Sequence, residues 1–202
     1  MSVKLGVLIS GSGSNLQAII DRCEAGELGS EVAVVISSRA DAYGLVRAEQ
    51  HGIARVVLPR KAFADEASYN SAIRDTLKEH DVELVVMAGY MRLLGKEVLD
   101  AYANRVVNLH PALLPSFAGA HGIKDALDYG VKVAGVTVHF ANEVFDEGPI
   151  ILQEALAVRE DDTEETLAER IHEIEHRILP KAIKLYAEGR LEVVGRKVRI
   201  KE

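Results

Sequence analysis

The repeated alternation of apolar strands with amphipathic helices constrains the fold of this chain more than any other feature. Aliphatic runs with little polar alternation occupy residues 4–10, 32–36, 56–58 and 84–87. Such runs are typical of strands that are covered on both faces. Because helical patterns separate them at short spacing, the sequence predicts an α/β fold with a doubly wound, mostly parallel sheet.

The carboxyl-terminal half departs from that repeat. Residues 133–140 and 150–158 read as two strands joined by a short polar loop, a spacing that favours an antiparallel pair. A long helix is predicted to begin at Thr163 as its N-cap and to kink at Pro180. Residues 191–200 then form a terminal hairpin. We find no linker, so we predict a single domain over residues 1–202.

Composition narrows the function classes. A hydrophobic content of 48% over 202 residues suffices for one well-buried core, and the single cysteine, Cys23, excludes an internal disulfide framework. No apolar run is long enough to span a bilayer, and residues 1–10 read as a strand rather than a signal segment. A net charge of −7 argues against nucleic acid as a partner. These features predict a cytoplasmic protein.

A glycine-rich turn, Gly11-Ser12-Gly13-Ser14-Asn15, separates the first strand from the first helix. Glycine lets the backbone approach a ligand, and the free N–H groups of a helix start attract an anion, which favours one bound phosphate. A plain tight turn with Ser14 or Asn15 as the N-cap is an equally good interpretation. The spacing matches neither a dinucleotide fingerprint nor a Walker loop.

Polar side chains mark the end of the buried strand over residues 106–110. Asn108 and His110 are two residues apart, so they face the same side, and Pro111 ends the strand. They therefore lie at the carboxyl edge of the sheet, where open α/β folds bind ligands. A capping Asn and a structurally satisfied His are the alternative interpretation of either residue alone.

The segment Tyr90-Met91-Arg92 follows the fourth strand and precedes a helix predicted over residues 95–103. An arginine beside an aromatic ring and a thioether can line a pocket for a flat heterocycle, although such clusters are more often ordinary core. Residues 116–122 are rich in small side chains and read as a loop over the sheet edge.

Four polar candidates lie at or just beyond strand ends: Asn108, His110, His139 and Asp146. No nucleophile elbow, CxxC or HExxH motif is present, and we predict no metal site. The set favours general acid–base chemistry, in which histidine moves protons and an amide stabilises an oxyanion. It suits transfer of an acyl group through a tetrahedral intermediate.

At this level of detail the chain resembles the folate-dependent formyltransferases over nearly its whole length. The matching blocks are residues 9–17, 88–92, 108–115, 135–140 and 146–151. The Asn-x-His-Pro and Asp-x-Gly blocks are shared across that family, and the glycine loop followed by Asn-Leu-Gln favours the members that act on glycinamide ribonucleotide. The resemblance implies a formyltransferase-like domain with a Rossmann-like amino-terminal half.

The resemblance also implies a reaction and residue roles. A formyl group would pass from the cosubstrate 10-formyltetrahydrofolate to the amine of glycinamide ribonucleotide, a step of purine (IMP) biosynthesis. The implied catalytic set is Asn108, His110 and Asp146. The implied contacts of glycinamide ribonucleotide are Gly13, Ser14, Asn15 and Glu175. The implied folate contacts are Met91, Arg92, Leu93, Leu94, Asn108, Asn142, Glu143, Val144 and Phe145.

The chain departs from the family pattern at two charged positions. A basic folate contact often found three residues before the tyrosine that matches Tyr69 is here Glu66, which we leave out of the site. A basic residue often found after Leu-Leu-Pro is here Ser116. The sequence leaves open whether His121 and His139 are catalytic or structural, and whether the chain is a monomer or a homodimer.

Three alternatives compete with this interpretation. A hydrolase of the same folate usually carries an amino-terminal regulatory domain, whereas the first strand here starts at Lys4. A transfer-RNA formyltransferase usually has a basic carboxyl-terminal domain, whereas this chain ends at Glu202 with an acidic balance. A non-catalytic nucleotide-binding module would keep the phosphate loop but not need the catalytic set. We therefore expect two small-molecule substrates, without nucleic acid or membrane partners.

Overall fold

The computed structural model describes residues 2–202 and contains nine strands and six α-helices in that range. The strands are β1 (Val3–Ile9), β2 (Ser30–Ser37), β3 (Ala54–Val57), β4 (Leu84–Met87), β5 (Val106–His110), β6 (Val133–Phe140), β7 (Ile150–Ala157), β8 (Leu191–Val194) and β9 (Lys197–Ile200). The helices are α1 (Ser14–Glu24), α2 (Tyr43–Gln50), α3 (Glu66–Glu79), α4 (Lys96–Leu99), α5 (Gly122–Tyr129) and α6 (Glu164–Ala187).

The strands form one nine-stranded sheet in the order β3-β2-β1-β4-β5-β6-β7-β9-β8. The first five strands of this order pair in parallel, and β6 is antiparallel to both β5 and β7. Strand order reverses between β1 and β4, which are hydrogen-bonded neighbours. Such a switch point opens a crevice outside the carboxyl ends of the strands. The predicted fold class and antiparallel pair are thus confirmed.

Helices cover both faces of the parallel part because β1 is apolar on both sides. Leu5, Val7 and Ile9 pack into the core beneath α1, α2 and α6, whereas Leu8 packs into a second core beneath α3 and α4. The alternation follows the two-residue period of a strand. At Gly6 the backbone lies so close to α3 that a Cβ atom would fall 2.4 Å from Leu77 Cδ2.

Two local predictions were wrong. The helix predicted over residues 95–103 is the single turn α4, and residues 100–104 follow it as turns. The N-cap of α1 is Gly13, not Ser14 or Asn15. The kink at Pro180 stays a prediction, while α6 runs as one 24-residue helix with Pro180 buried inside it. Burial of the apolar face of α6 outweighs the backbone hydrogen bond lost at Pro180.

Candidate active site

A cleft of about 570 Å³ opens at the carboxyl ends of β1, β4 and β5. Three groups of residues line it: the glycine turn with Glu175, which we call the glycine end, the catalytic candidates, and the segment after β4 with Phe145, which we call the apolar end. Its lining consists of residues 10–15, Met87, Ala88, Gly89, Tyr90, Met91, Arg92, Leu93, Asn108, Leu109, His110, Pro111, Gly119, Ala120, Phe145, Asp146, His172 and Glu175. The volume is that of a typical small-molecule site.

The glycine turn is held by helix α2. Gly13 has a φ of 71°, and a Cβ atom there would lie 2.6 Å from Gly44 Cα. Arg47 donates from Nε to the Ser12 carbonyl at 3.0 Å and so fixes the turn from outside. The turn leads directly into α1, whose first N–H groups have no partner within the helix and face the cleft end. Glycine at position 13 is therefore required by backbone packing as well as by any ligand.

Glu175 is brought to the glycine turn from the far end of the chain by α6. Asn15 donates from Nδ2 to Glu175 Oε2 at 2.9 Å, and Glu175 is only 5% exposed. Burial raises the pKa of Glu175, while the Asn15 hydrogen bond and the charge of His172 act in the opposite direction with smaller effect. Asn15 Oδ1 is buried and finds no hydrogen-bond partner among residues 2–202. This end of the cleft thus presents an unpaired acceptor and a buried carboxyl group.

Asn108 is fixed by two neighbours on other elements. Its Nδ2 atom lies 3.1 Å from His139 Nε2 and donates to Asp146 Oδ1 at 3.4 Å. His139 is buried, and its Nδ1 atom contacts the Phe140 carbonyl at 3.0 Å. A carbonyl only accepts, so Nδ1 carries a proton. His139 therefore holds the Asn108 amide from the neighbouring strand β6.

Asp146 joins the two histidines. It is buried, has a left-handed φ of 55°, and accepts from the Gly119 amide at 2.9 Å. Burial opposes ionisation of Asp146, but the His139 contact, the Gly119 amide and the charges of His110 and His139 together outweigh it and lower its pKa. Asp146 is consequently a carboxylate at neutral pH. Gly148 permits this loop path, since a Cβ atom there would overlap the Phe140 carbonyl.

His110 lies between two oxygen atoms. Its Nδ1 atom is 3.4 Å from Asp146 Oδ2, and its Nε2 atom is 2.8 Å from the Phe117 carbonyl. Both oxygen atoms are acceptors, so the ring meets both contacts as a donor only when both nitrogens carry protons. The side chain is 5% exposed, and that surface faces the cleft. The predicted proximity of Asp146 and His110 is confirmed.

The opposite end of the cleft is apolar and open. Met91, Leu93 and Phe145 line it, and all three are exposed to solvent to an unusual degree for apolar side chains. Leu94, Asn142 and Val144 instead line a small adjoining cavity of about 20 Å³, together with Asn108. Glu143 lies outside both cavities and approaches Lys96 at 3.9 Å.

Arg92 stands at this end of the cleft and is linked to Glu66. The Nη2 atom of Arg92 donates to Glu66 Oε1 at 3.3 Å, and Arg60 donates to the same oxygen at 2.6 Å. The guanidinium lies over the Tyr69 ring, and within the described chain its buried Nε atom has no acceptor. The Tyr69 hydroxyl meets that of Tyr90 at 2.5 Å. Glu66 therefore acts on the site through Arg92.

Sequence reasoning missed several residues of the cleft. His172 lines the glycine end and lies one helical turn before Glu175, a spacing that could have indicated it. Ser10 accepts from the Met91 amide at 3.1 Å and ties the ends of β1 and β4 together. The Phe117 carbonyl left no signal in the sequence, because it is a backbone group. His121, whose role was left open, is exposed and does not line the cleft.

The described residues contain neither a metal-binding cluster nor a membrane-spanning helix. Among residues 2–202, no group of three or more His, Cys, Asp or Glu side chains is arranged to hold a metal ion. In the same range, no helix has both the length and the apolar run needed to cross a bilayer.

A buried His and Asp pair beside an amide donor, in a cleft with a phosphate-type loop at one end, defines an enzyme of acyl-group transfer. Residues 3–183 match the family described as formyl transferase. The chain belongs to this family.

Individual relatives agree with that assignment. The chain is 43% identical to phosphoribosylglycinamide formyltransferase of Haemophilus influenzae over 190 residues, covering 94% of this chain and 90% of the relative. It is similar to the crystal structure of glycinamide ribonucleotide transformylase 1 from Symbiobacterium toebii, with 51% identity, a TM-score of 0.98 and coverage of 100% and 95%. A formyltetrahydrofolate deformylase from Pseudomonas syringae is more distant in sequence, at 27% identity and a TM-score of 0.93, and the match covers 67% of that protein.

Proposed function

We propose that this enzyme transfers a formyl group from 10-formyltetrahydrofolate to the amine of glycinamide ribonucleotide, a reaction of purine biosynthesis. The observation that carries the proposal is the convergence of Asn108, His110 and Asp146 in a single cleft. The glycine turn before α1 and the apolar side chains after β4 line the same cleft. Two substrates that enter from opposite ends would meet at these three side chains.

The glycine end suits a phosphorylated ribose. The amides at the start of α1 would hold the phosphate, and the His172 side chain lines the same cleft. Asn15 and Glu175 offer an unpaired acceptor and a carboxyl group that could bind ribose hydroxyls or the amine. Backbone amides would then meet the phosphate charge, since Ser116 stands where the family often has a basic residue.

The apolar end suits a folate. Met91, Leu93 and Phe145 would contact the ring systems, and the guanidinium of Arg92 would meet the carboxylates of the glutamate tail. The adjoining cavity beside Asn142 and Val144 is too small for a heterocycle as it stands, so the loop that contains them would move outward when folate binds.

The chemistry requires three tasks at the centre. The amine attacks the formyl carbon, negative charge grows on the formyl oxygen, and the folate nitrogen must gain a proton as it leaves. Asn108 and His110 are the donors that can stabilise the oxyanion, and His110 can also carry a proton. Asp146 remains ionised and holds the orientation of His110 beside it.

Release of tetrahydrofolate with and without glycinamide ribonucleotide tests the proposal. We expect release that depends on the amine substrate and yields formylated glycinamide ribonucleotide. Rapid release without the amine would instead identify a hydrolase, and no release with both substrates would identify a binding module.

We further propose that the enzyme acts in the cytoplasm as a single domain over residues 1–202, as a monomer or a homodimer. The net charge of −7 supports small-molecule substrates rather than nucleic acid.

A further inference from the structure

Both ring nitrogens of His110 contact an oxygen atom of the protein. Nδ1 faces Asp146 Oδ2 at 3.4 Å, and Nε2 donates to the Phe117 carbonyl at 2.8 Å. Asp146 is buried and is held by the Gly119 amide, so it keeps its place beside Nδ1. Nε2 is then the nitrogen available to a substrate, and the Phe117 carbonyl covers it.

Phe117 adopts a backbone conformation that a bulky residue rarely takes. Its φ is 53°, in the left-handed region, which costs free energy for any side chain with a Cβ atom. Its ring packs edge-to-face on Tyr129 with the centroids 5.9 Å apart. Strained residues of this kind persist where the surrounding structure fixes them, and they cluster at functional sites. Here the strain aims one carbonyl oxygen at a catalytic candidate.

Asn108 shows a parallel arrangement. Its Nδ2 atom donates to Asp146 Oδ1 over a long distance of 3.4 Å. The two groups proposed to stabilise the oxyanion therefore each contact a protein oxygen. A substrate oxygen can replace such a contact with little loss of hydrogen bonding, because one acceptor is exchanged for another.

We propose that Phe117 is a positioning residue for His110. Its left-handed backbone holds the carbonyl against Nε2, fixes the orientation of the ring before substrate arrives, and gives up Nε2 to the formyl oxygen during the reaction. This inference rests on the proposed formyl transfer. No covalent bond changes in the exchange, and the proton stays on Nε2 until the folate nitrogen leaves.

Two variants at position 117 distinguish the effect of the left-handed backbone from the effect of the ring packing. Phe117→Gly and Phe117→Val both remove the ring contact with Tyr129, but only valine makes the left-handed backbone more costly. We expect kcat of Phe117→Val to be about tenfold below that of Phe117→Gly, the ratio that an extra left-handed cost would give, with equal KM for glycinamide ribonucleotide. Phe117→Ala takes the place of Phe117→Val if the latter does not fold.

The hydrogen bond itself is observed by NMR of protein labelled with ¹⁵N-histidine. The Nε2-bound proton of His110, assigned by its loss in His110→Ala, is expected in the parent and in Phe117→Gly and to weaken in Phe117→Val. Tyr129→Ala serves as the control that removes only the ring contact and keeps this signal. Equal kcat and equal signals in the glycine and valine variants would overturn the role of Phe117.

The exchange step is tested with 10-formyltetrahydrofolate in the absence of an amine substrate. We expect this compound to shift the His110 Nε2 proton, and tetrahydrofolate, which lacks the formyl oxygen, to leave it in place. The same shift with both compounds would contradict the exchange. Failure of the proposed function is distinguishable, because the parent would then show no release of tetrahydrofolate that depends on glycinamide ribonucleotide.

Discussion

At the scale of single residues, the donors at the centre of the cleft have the largest predicted effect on rate. We expect Asn108→Ala and His110→Ala each to lower kcat by roughly 10²–10³, the loss seen when an oxyanion donor is removed. Because both act on one developing charge, the double variant is expected to lose less than the product of the two. Steady-state kinetics measure this, with the exposed His121→Ala as the matched control. Activity retained in His110→Ala would reject its role.

The stability that Asp146 contributes to the folded protein is predicted to depend on pH. Its pKa is lowered in the folded protein, so it contributes stability that is present above its unfolded pKa of about 3.9 and is lost as pH falls through the folded value. Asparagine tolerates the left-handed φ at this position. We therefore expect Asp146→Asn to melt at a lower temperature than the parent at neutral pH, and the difference to close in acid. A difference that is independent of pH would contradict this account. The same variant is expected to lower kcat.

The stability that Glu175 contributes is predicted to change with pH in the opposite direction. Burial raises its pKa, so the stability linked to its protonated form is full below the unfolded pKa and is lost as pH rises through the folded value. Glutamine resembles the protonated form and can still accept from Asn15. We expect Glu175→Gln to raise the melting temperature at neutral pH and to raise KM for glycinamide ribonucleotide about tenfold, the loss of a charge-assisted hydrogen bond.

The control for Glu175→Gln is the same comparison of melting temperatures at acid pH. The parent and Glu175→Gln are expected to have the same melting temperature below about pH 4, where the parent carboxyl is protonated. A parent that is more stable than the variant at neutral pH would show that the buried carboxylate is well paired, contrary to the prediction.

At the scale of elements, the turn between β1 and α1 separates two reasons for glycine. A Cβ atom at Gly11 would meet no atom of residues 2–202 within 4 Å, and Gly11 lines the cleft, whereas one at Gly13 would collide with Gly44. We expect Gly11→Val to raise KM for glycinamide ribonucleotide without altering stability. Gly13→Ala is expected to lower the melting temperature as well.

Those two measurements define what the turn does. Thermal unfolding reports the packing of the turn on α2, and KM for each substrate reports the ligand. If Gly11→Val raised KM for the folate and KM for glycinamide ribonucleotide by the same factor, the assignment of the phosphate to this turn would be wrong.

The sequence predicted elements and strand ends well because both follow from short-range patterns. The apolar end of β5 and the break at Pro111 place Asn108 and His110 on one edge, as the structure shows. The contact of Asn15 with Glu175 spans 160 residues, and no periodicity of either helix contains it. The role of His139 depends on its register opposite Asn108 across β5 and β6, which the strand pattern leaves open.

At the scale of the whole molecule, the terminal hairpin reaches the loop that carries Asp146. Arg196 donates from Nη1 to the Glu147 carbonyl at 2.9 Å, and β9 pairs with β7 at Ile150. The sheet therefore continues from β1 at the glycine end of the cleft to the strand that follows the Asp146 loop. Substrate binding at either end of the cleft is expected to affect the same continuous sheet.

Hydrogen exchange can map the two ends of the cleft in the intact protein. A folate analogue is expected to slow exchange in residues 90–94 and 142–145, because these segments line the apolar end and its adjoining cavity. Glycinamide ribonucleotide alone is expected to slow exchange in residues 11–15 instead. The segment after β5 would respond to both, since His110 lies between the two ends. Protection by the folate analogue that was confined to the glycine turn would place the folate at the wrong end of the cleft and reverse the proposed arrangement of the two substrates.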